Sequence, residues 1–347
     1  MKPAYFKKLA AAIVAVCTVA GAQAQEQVLN LYSARHYQTD ELLFSNFTKQ
    51  TGIKINRIEA DDNGILERLK NEGRNSPADV VLLVDAARLW RAQSDGLFQP
   101  VKSKLLDERI PAHLRAQDEG QGSEWYGFST RARIIVYDKA RVNPEDVATY
   151  ELLADPRNKG KVCTRSGSHP YNLSLIGAMI ERNGEKATED WARGMVANMA
   201  RPPRGGDTDQ IRAVGAGECA VALSNSYYYV RLLRSNKPED KELMSKVTFV
   251  WPNQATSGTH MNITGAAVAR NAPNRDAAVK FLEYLASDQA QDYFANGNNE
   301  WPVVATAVAK NPELEAMGKF KTEKIPVSVI GRNQVAAQRI LDRAGYK

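Results

Sequence analysis

Cysteine is scarce in this chain: three in 347 residues, at positions 17, 163 and 219. No two of them form a CxxC pair, which removes zinc-ribbon and thioredoxin-type chemistry. There are only four histidines, and no HExxH, no GxSxG elbow and no phosphate-binding P-loop, so the common signatures of metalloproteases, serine hydrolases and nucleotide hydrolases are missing. Glu59-Ala60-Asp61-Asp62-Asn63-Gly64 imitates the start of a calcium loop. Its twelfth position is Lys70, where a bidentate Glu is required, so the frame fails. The glycine pair Gly205-Gly206 reads as a helix cap. Internal repeats and low-complexity tracts are absent. Charge of one sign is also lacking: 46 Lys+Arg stand against 40 Asp+Glu, with 43% apolar residues. That is the balance of a folded globular chain long enough to make two lobes.

Part of the small positive excess sits in the first residues. Lys2, Lys7 and Lys8 precede an apolar run from Leu9 to Ala20, and Ala22-Gln23-Ala24 ends it. A basic head, a short apolar stretch and a small-x-small ending are the layout of a secretory leader over residues 1–24, with Cys17 discarded along with it. Removing its three lysines leaves a net charge of about +3, too little to imply a nucleic-acid partner. No later run approaches the roughly 20 apolar residues of a membrane span. Export would place Cys163 and Cys219 in an oxidising compartment, where a disulfide closing a 56-residue loop is expected. Two buried free thiols are the alternative.

Beyond the leader, strand and helix signals alternate. Val28–Tyr32, Ala78–Val84, Arg133–Tyr137, Gly160–Thr164, Cys219–Leu223, Val247–Trp251 and Asn262–Ala269 are strand-like apolar runs. Helical patterns lie between them from about Thr39, over Ile65–Gly73 and Ala86–Gly96, over Asn172–Ile180, across Arg275–Phe294 as one long helix, and from Asn333 to Arg343. This pattern predicts α/β layers around a mainly parallel sheet, arranged as two lobes whose connecting strands cross near Ser129–Arg133 and Ser257–Asn262.

The positive chemical signal is tyrosine. Tyr227, Tyr228 and Tyr229 follow the strand Cys219–Leu223, His36 and Tyr37 follow the strand Val28–Tyr32, and Tyr171 follows Gly160–Thr164. Each group falls where a strand hands over to a helix, the place where open α/β sheets build ligand crevices. Two tyrosines in the first turn of a helix can lean toward one point, and the helix N-terminus favours their anionic form. A free phenol has a pKa of about 10, so phenolates at neutral pH need a strong cation. A hard trivalent ion such as Fe3+ matches anionic oxygen donors, and three phenolates cancel its charge. Tyrosine is also an ordinary half-buried residue, and Tyr229 reads as packing. His113 reads as a surface residue, while His169 and His260 lie near the crevice as structural residues.

Taken together, several segments resemble one family. They are Ser33-Ala34-Arg35-His36-Tyr37-Gln38-Thr39-Asp40, Ser76-Pro77-Ala78-Asp79-Val80, Val84 to Ala92, Arg165 to Asn172, Asn225 to Tyr229, and Gly297-Asn298-Asn299-Glu300-Trp301-Pro302-Val303. Along nearly the whole exported chain the sequence is similar to the periplasmic ferric-iron-binding proteins of ABC transporters, in the branch that uses several tyrosines.

The resemblance implies a two-lobed periplasmic binding protein of type II, with transferrin-like lobes and the ligand cleft between them. The lobes would be 25–132 plus 258–303 and 133–257 plus 304–347. It implies that Tyr227 and Tyr228 are paired phenolate ligands, Tyr37 and Tyr171 further ligands, and His36 a candidate ligand. Where another branch of the family places a ligating Glu, the aligned residue is Val84, which cannot ligate. Arg131 or Arg133 would hold a synergistic anion such as carbonate, or else serve as a salt-bridge partner at the hinge. The implied partners are an inner-membrane permease and its ATPase, and the implied state is a non-enzymatic monomer in the periplasm. Two other readings remain: a binding protein for an organic solute (thiamine, a polyamine or an organophosphate), and an exported hydrolase.

Overall fold

The computed structural model describes residues 27–35, 37 and 40–347. The expected leader, 1–24 with Cys17, lies outside the described residues.

The first half is built of βα units. Strands β1 (Val28–Ser33), β2 (Lys54–Glu59), β3 (Val80–Leu83) and β4 (Phe98–Gln99) alternate with helices α1 (Asp40–Thr51), α2 (Asp62–Glu72), α3 (Ala86–Ser94) and α4 (Lys104–Arg109). The helix starts are set by local acceptors. Asp61 accepts from Gly64 N, Asp85 from Ala87 N and Ser103 from Leu106 N, each filling an otherwise orphan donor. The long strand β5 (Tyr126–Asp138) then leads to β6 (Val162–Cys163), α5 (Pro170–Ala197), α6 (Asp207–Gly215), β7 (Val221–Asn225) and α7 (Ser226–Leu233). Next come α8 (Pro238–Lys246), β8 (Val247–Val250), β9 (Met261–Ala269), α9 (Arg275–Leu285), α10 (Asp288–Asn296) and β10 (Trp301–Pro302). Helices α11 (Pro312–Glu315), α12 (Val327–Arg332) and α13 (Gln334–Ala344) close the chain.

The strands run in the order β2-β1-β3-β9-β5-β7-β6, with β4 beside β9 and β8 and β10 beside β5. Strand β5 joins the two halves. From Tyr126 to Ala132 it pairs with β9, and from Arg133 to Asp138 with β7 and β8. Apolar cores cover both faces of each half. In the first, Leu29, Val80, Phe128 and Phe281 pack on one face and Tyr32, Val81, Leu89 and Trp125 on the other. In the second, Ile135, Val221, Ile176 and Ile340 oppose Ile134, Ala222, Val214 and Val230. A small fifth cluster, Ala87, Ala178 and Ile330, joins α3, α5 and α12 between the halves.

Four differences from the sequence expectation have physical causes. Parallel pairing is confined to β2-β1-β3 and β6-β7, whereas every pairing of β5 and β9 is antiparallel. One strand leaves the first half and the other returns to it, so they cannot run the same way. Strand β2 has no apolar run in the sequence, because it is an edge strand of mostly exposed polar residues. The helix expected over Arg275–Phe294 is two, because Ser287 turns its hydroxyl to the Ala290 N–H and starts a new one. Helix α5 runs well beyond Ile180, kinked where Gly184 adopts a φ of 79°. The disulfide formed as expected: Cys163 and Cys219 are buried, bonded, and 5.9 Å apart at Cα.

Candidate metal centre

Three tyrosines from different elements meet at one point. Tyr37 lies on the loop between β1 and α1, Tyr171 in the first turn of α5, and Tyr227 in the first turn of α7. The Tyr227 hydroxyl is 3.2 Å from that of Tyr37 and 3.0 Å from that of Tyr171. The Tyr228 ring lies 4.2 Å from that of Tyr227, tilted by 35° to it. Local sequence accounts for the arrangement. Strand β7 ends at Asn225 in extended geometry and α7 begins at once, so Tyr227 and Tyr228 share the helix's first turn and face its positive end. His169 caps α5 through Nδ1, 3.3 Å from Tyr171 N, and Pro170 occupies the first helical position. Tyr229 points away from this group and packs edge-on against Phe249. His36 lies outside the described residues.

Burial sets the protonation state of this group. Removal from water, followed by repulsion from neighbouring tyrosines, raises Tyr37, Tyr171 and Tyr227 above the ordinary phenol range. The three are therefore neutral phenols at physiological pH. Buried acids that sit nearby are committed elsewhere. Asp40 and Glu300 hold Arg35, and Asp207 holds Arg133. Among the described residues no group of three or more His, Cys, Asp or Glu is placed to hold a metal ion. What the site offers a cation is phenol oxygen.

A protein-family description matches residues 43–322: bacterial extracellular solute-binding protein. The chain belongs to that family. It is 49% identical over 328 residues to iron uptake protein A2 of Synechocystis sp., covering 94% of this chain and 92% of the relative. It also resembles the Trichodesmium protein IdiA (FutA) in complex with iron and citrate, at a TM-score of 0.84 and 50% identity, over 92% of this chain and all of that one. The ferric binding protein of Campylobacter jejuni superposes at a TM-score of 0.87 with 39% identity, over 92% of this chain and all of that one. These structures share the mixed α/β, two-lobed architecture seen here.

In this solute-binding protein the two candidate arginines differ sharply. Arg133 donates to Asp207, to Asn225 at 3.1 Å and to Asn172 at 2.9 Å, so it ties β5 to β7 and α5. Arg131 is buried, and its guanidinium lies 5.4 Å from the Tyr171 ring. It donates to Thr264 through Nη1, while Nε and Nη2 have no partner among the described residues. Orphan guanidinium N–H groups beside the phenols suit an anion; a committed ion pair does not.

Other cations around the site went unassigned in the sequence. Arg165 lies 5.1 Å from the Tyr171 ring, and Arg231 lies 5.2, 5.8 and 5.3 Å from the rings of Tyr37, Tyr227 and Tyr228. The signal for Arg231 was its place one helical turn after Tyr227 and Tyr228 on α7, which brings it over their rings. His113 is exposed. His260 is buried beside the crossing strands and paired with Glu323, away from the phenols. Val84 donates its N–H to Asp62 and offers the cleft no ligand atom.

Proposed function

We propose that this protein captures ferric iron in the cleft between its lobes and delivers it in the periplasm to an ABC importer, whose permease and ATPase carry it across the inner membrane. The observation that carries this reading is the meeting of phenol oxygens from both halves of the molecule at 3.0–3.2 Å, while the nearby buried carboxylates Asp40, Glu300 and Asp207 are paired with arginines. The solute-binding family and its ferric-binding relatives support it. Tyr37, Tyr171, Tyr227 and Tyr228 supply the phenolates, and His36 is a further donor from the first lobe. Arg131 receives a synergistic anion such as carbonate or a citrate carboxylate, while Arg133 acts as a hinge strut.

The first lobe comprises 25–132 and 258–303, the second 133–257 and 304–347. The protein acts as a monomer after its 1–24 leader is removed. Because the donors belong to two lobes, only the closed form completes the shell around the ion, so binding selects closure and presents a distinct shape to the permease. Apo-protein titrated with ferric citrate should develop the visible charge-transfer colour of iron(III)–phenolate. A titration that stays colourless refutes the ligand set.

A further inference from the structure

Among the buried side chains that reach across the two halves, Asp85 and Ser174 meet beside the first turn that carries Tyr171. Asp85 is the N-cap of α3 in the first half, and Ser174 is on α5 in the second; both side chains are wholly buried. Asp85 Oδ1 accepts from Ala87 N at 2.9 Å and from the Ser174 hydroxyl at 2.8 Å. Its Oδ2 accepts from Asn262 Nδ2 at 2.7 Å, and Asn262 Oδ1 accepts in turn from Ala86 N at 2.9 Å. Asn262 sits on β9 opposite Arg131 of β5, at the crossing strands. One carboxylate thus holds the start of α3, a hinge strand and a helix of the opposite lobe.

The position of Ser174 gives this bond its consequence. It lies one turn after Tyr171 on the same face of α5, so fixing Ser174 against α3 also fixes the distance of Tyr171 from the first lobe. Directly beside it, Ala87 and Ala178 pack with Ile330, and small side chains there let the two helices approach closely. The serine hydroxyl is not required by its own helix, and Asp85 keeps its cap and its Asn262 bond without it. Neither group belongs to the donor set that takes the metal.

Resting on the ferric-capture reading, we propose that the Asp85–Ser174 hydrogen bond is a metal-independent closure latch, with Asp85 and Ser174 as positioning residues. The bond stabilises the closed arrangement before iron arrives and lowers the closing cost that metal coordination must supply. In the apo form it also keeps Tyr171 near the first lobe, a spacing that the ion itself maintains once bound.

The test compares wild type with Ser174→Ala and Ser174→Thr by small-angle scattering of apo and ferric-loaded protein, and by iron release to excess chelator. Ser174→Ala should enlarge the apo radius of gyration, leave the ferric-loaded scattering and charge-transfer spectrum unchanged, and release iron roughly tenfold faster, the scale of one hydrogen bond to a charged group. Ser174→Thr, which keeps the hydroxyl, should restore both apo compactness and release rate. Wild-type apo compactness and release in Ser174→Ala overturn the latch. So does a loss that Ser174→Thr shares, since that marks packing rather than the hydroxyl. If wild type binds no iron at all, the functional reading fails, while apo scattering still decides whether the bond holds the lobes together.

Discussion

Tyr227→Phe tests the phenolate chemistry most directly, because Tyr227 is the hub of the cluster. Its hydroxyl bonds those of Tyr37 at 3.2 Å and Tyr171 at 3.0 Å. In the apo-protein, losing both bonds should cost about 1–3 kcal/mol, two neutral hydrogen bonds at their usual net value. The effect on iron is of a different kind. A buried tyrosine whose pKa is raised starts as a neutral phenol and must release a proton to ligate. Each ligating phenol therefore contributes about 1.4 kcal/mol of affinity per pH unit. Between pH 7 and 5 the wild type should lose about 2.7 kcal/mol more ferric affinity than Tyr227→Phe.

Two measurements read this. One is chelator competition at several pH values; the other is proton release on a pH-stat, with both proteins loaded from the same ferric chelate so that its own protons cancel. Wild type should release one more proton per iron than the variant. Equal proton counts and parallel pH profiles would show that Tyr227 is not a phenolate ligand.

Tyr228→Phe separates ligation from folding: its hydroxyl makes no hydrogen bond among the described residues, so the apo thermal midpoint should barely move while ferric binding falls sharply. Equal iron retention removes Tyr228 from the shell. Burial and then Arg165 push His169 down to about 3, so its contribution to stability is complete above an unfolded value near 6.5 and is lost as pH falls from there toward 3. The apo midpoint should decline across that window and decline less in His169→Gln; parallel curves would contradict it. Reduction of Cys163–Cys219, 56 residues apart, should destabilise the protein by about 4 kcal/mol in the chain-entropy account, seen as a lower midpoint with reductant. An unchanged midpoint would show that the bridge constrains little.

Much of the site was legible in order of residues alone. A strand that ends at Asn225 and opens a helix at once places Tyr227 and Tyr228 in a first turn whatever the rest of the chain does, because the change of periodicity is set within a few residues. The same local logic put Tyr171 between the strand Gly160–Thr164 and the helix after it, and opened a helix at Ala86. Failures came where local signals were weak or shared. The polar edge strand β2 has no apolar run to announce it, and Ser287 interrupts a helix whose apolar period continues past it.

Tertiary structure alone decided which groups touch. Tyr37 and Tyr227 are 190 residues apart in the chain, and their meeting depends on how β5 and β9 cross and how the lobes close. Arg131 and Arg133 are indistinguishable as residues. Two positions apart on β5, they share a face of the strand. They differ because β5 changes partner between them, from β9 at Arg131 to β7 at Arg133. Arg133 therefore finds Asp207, and Arg131 is left beside Tyr171 with two N–H-bearing nitrogens without a partner among the described residues. Periodicity encodes which face a side chain takes. What waits on that face belongs to distant segments, and no local pattern carries their positions.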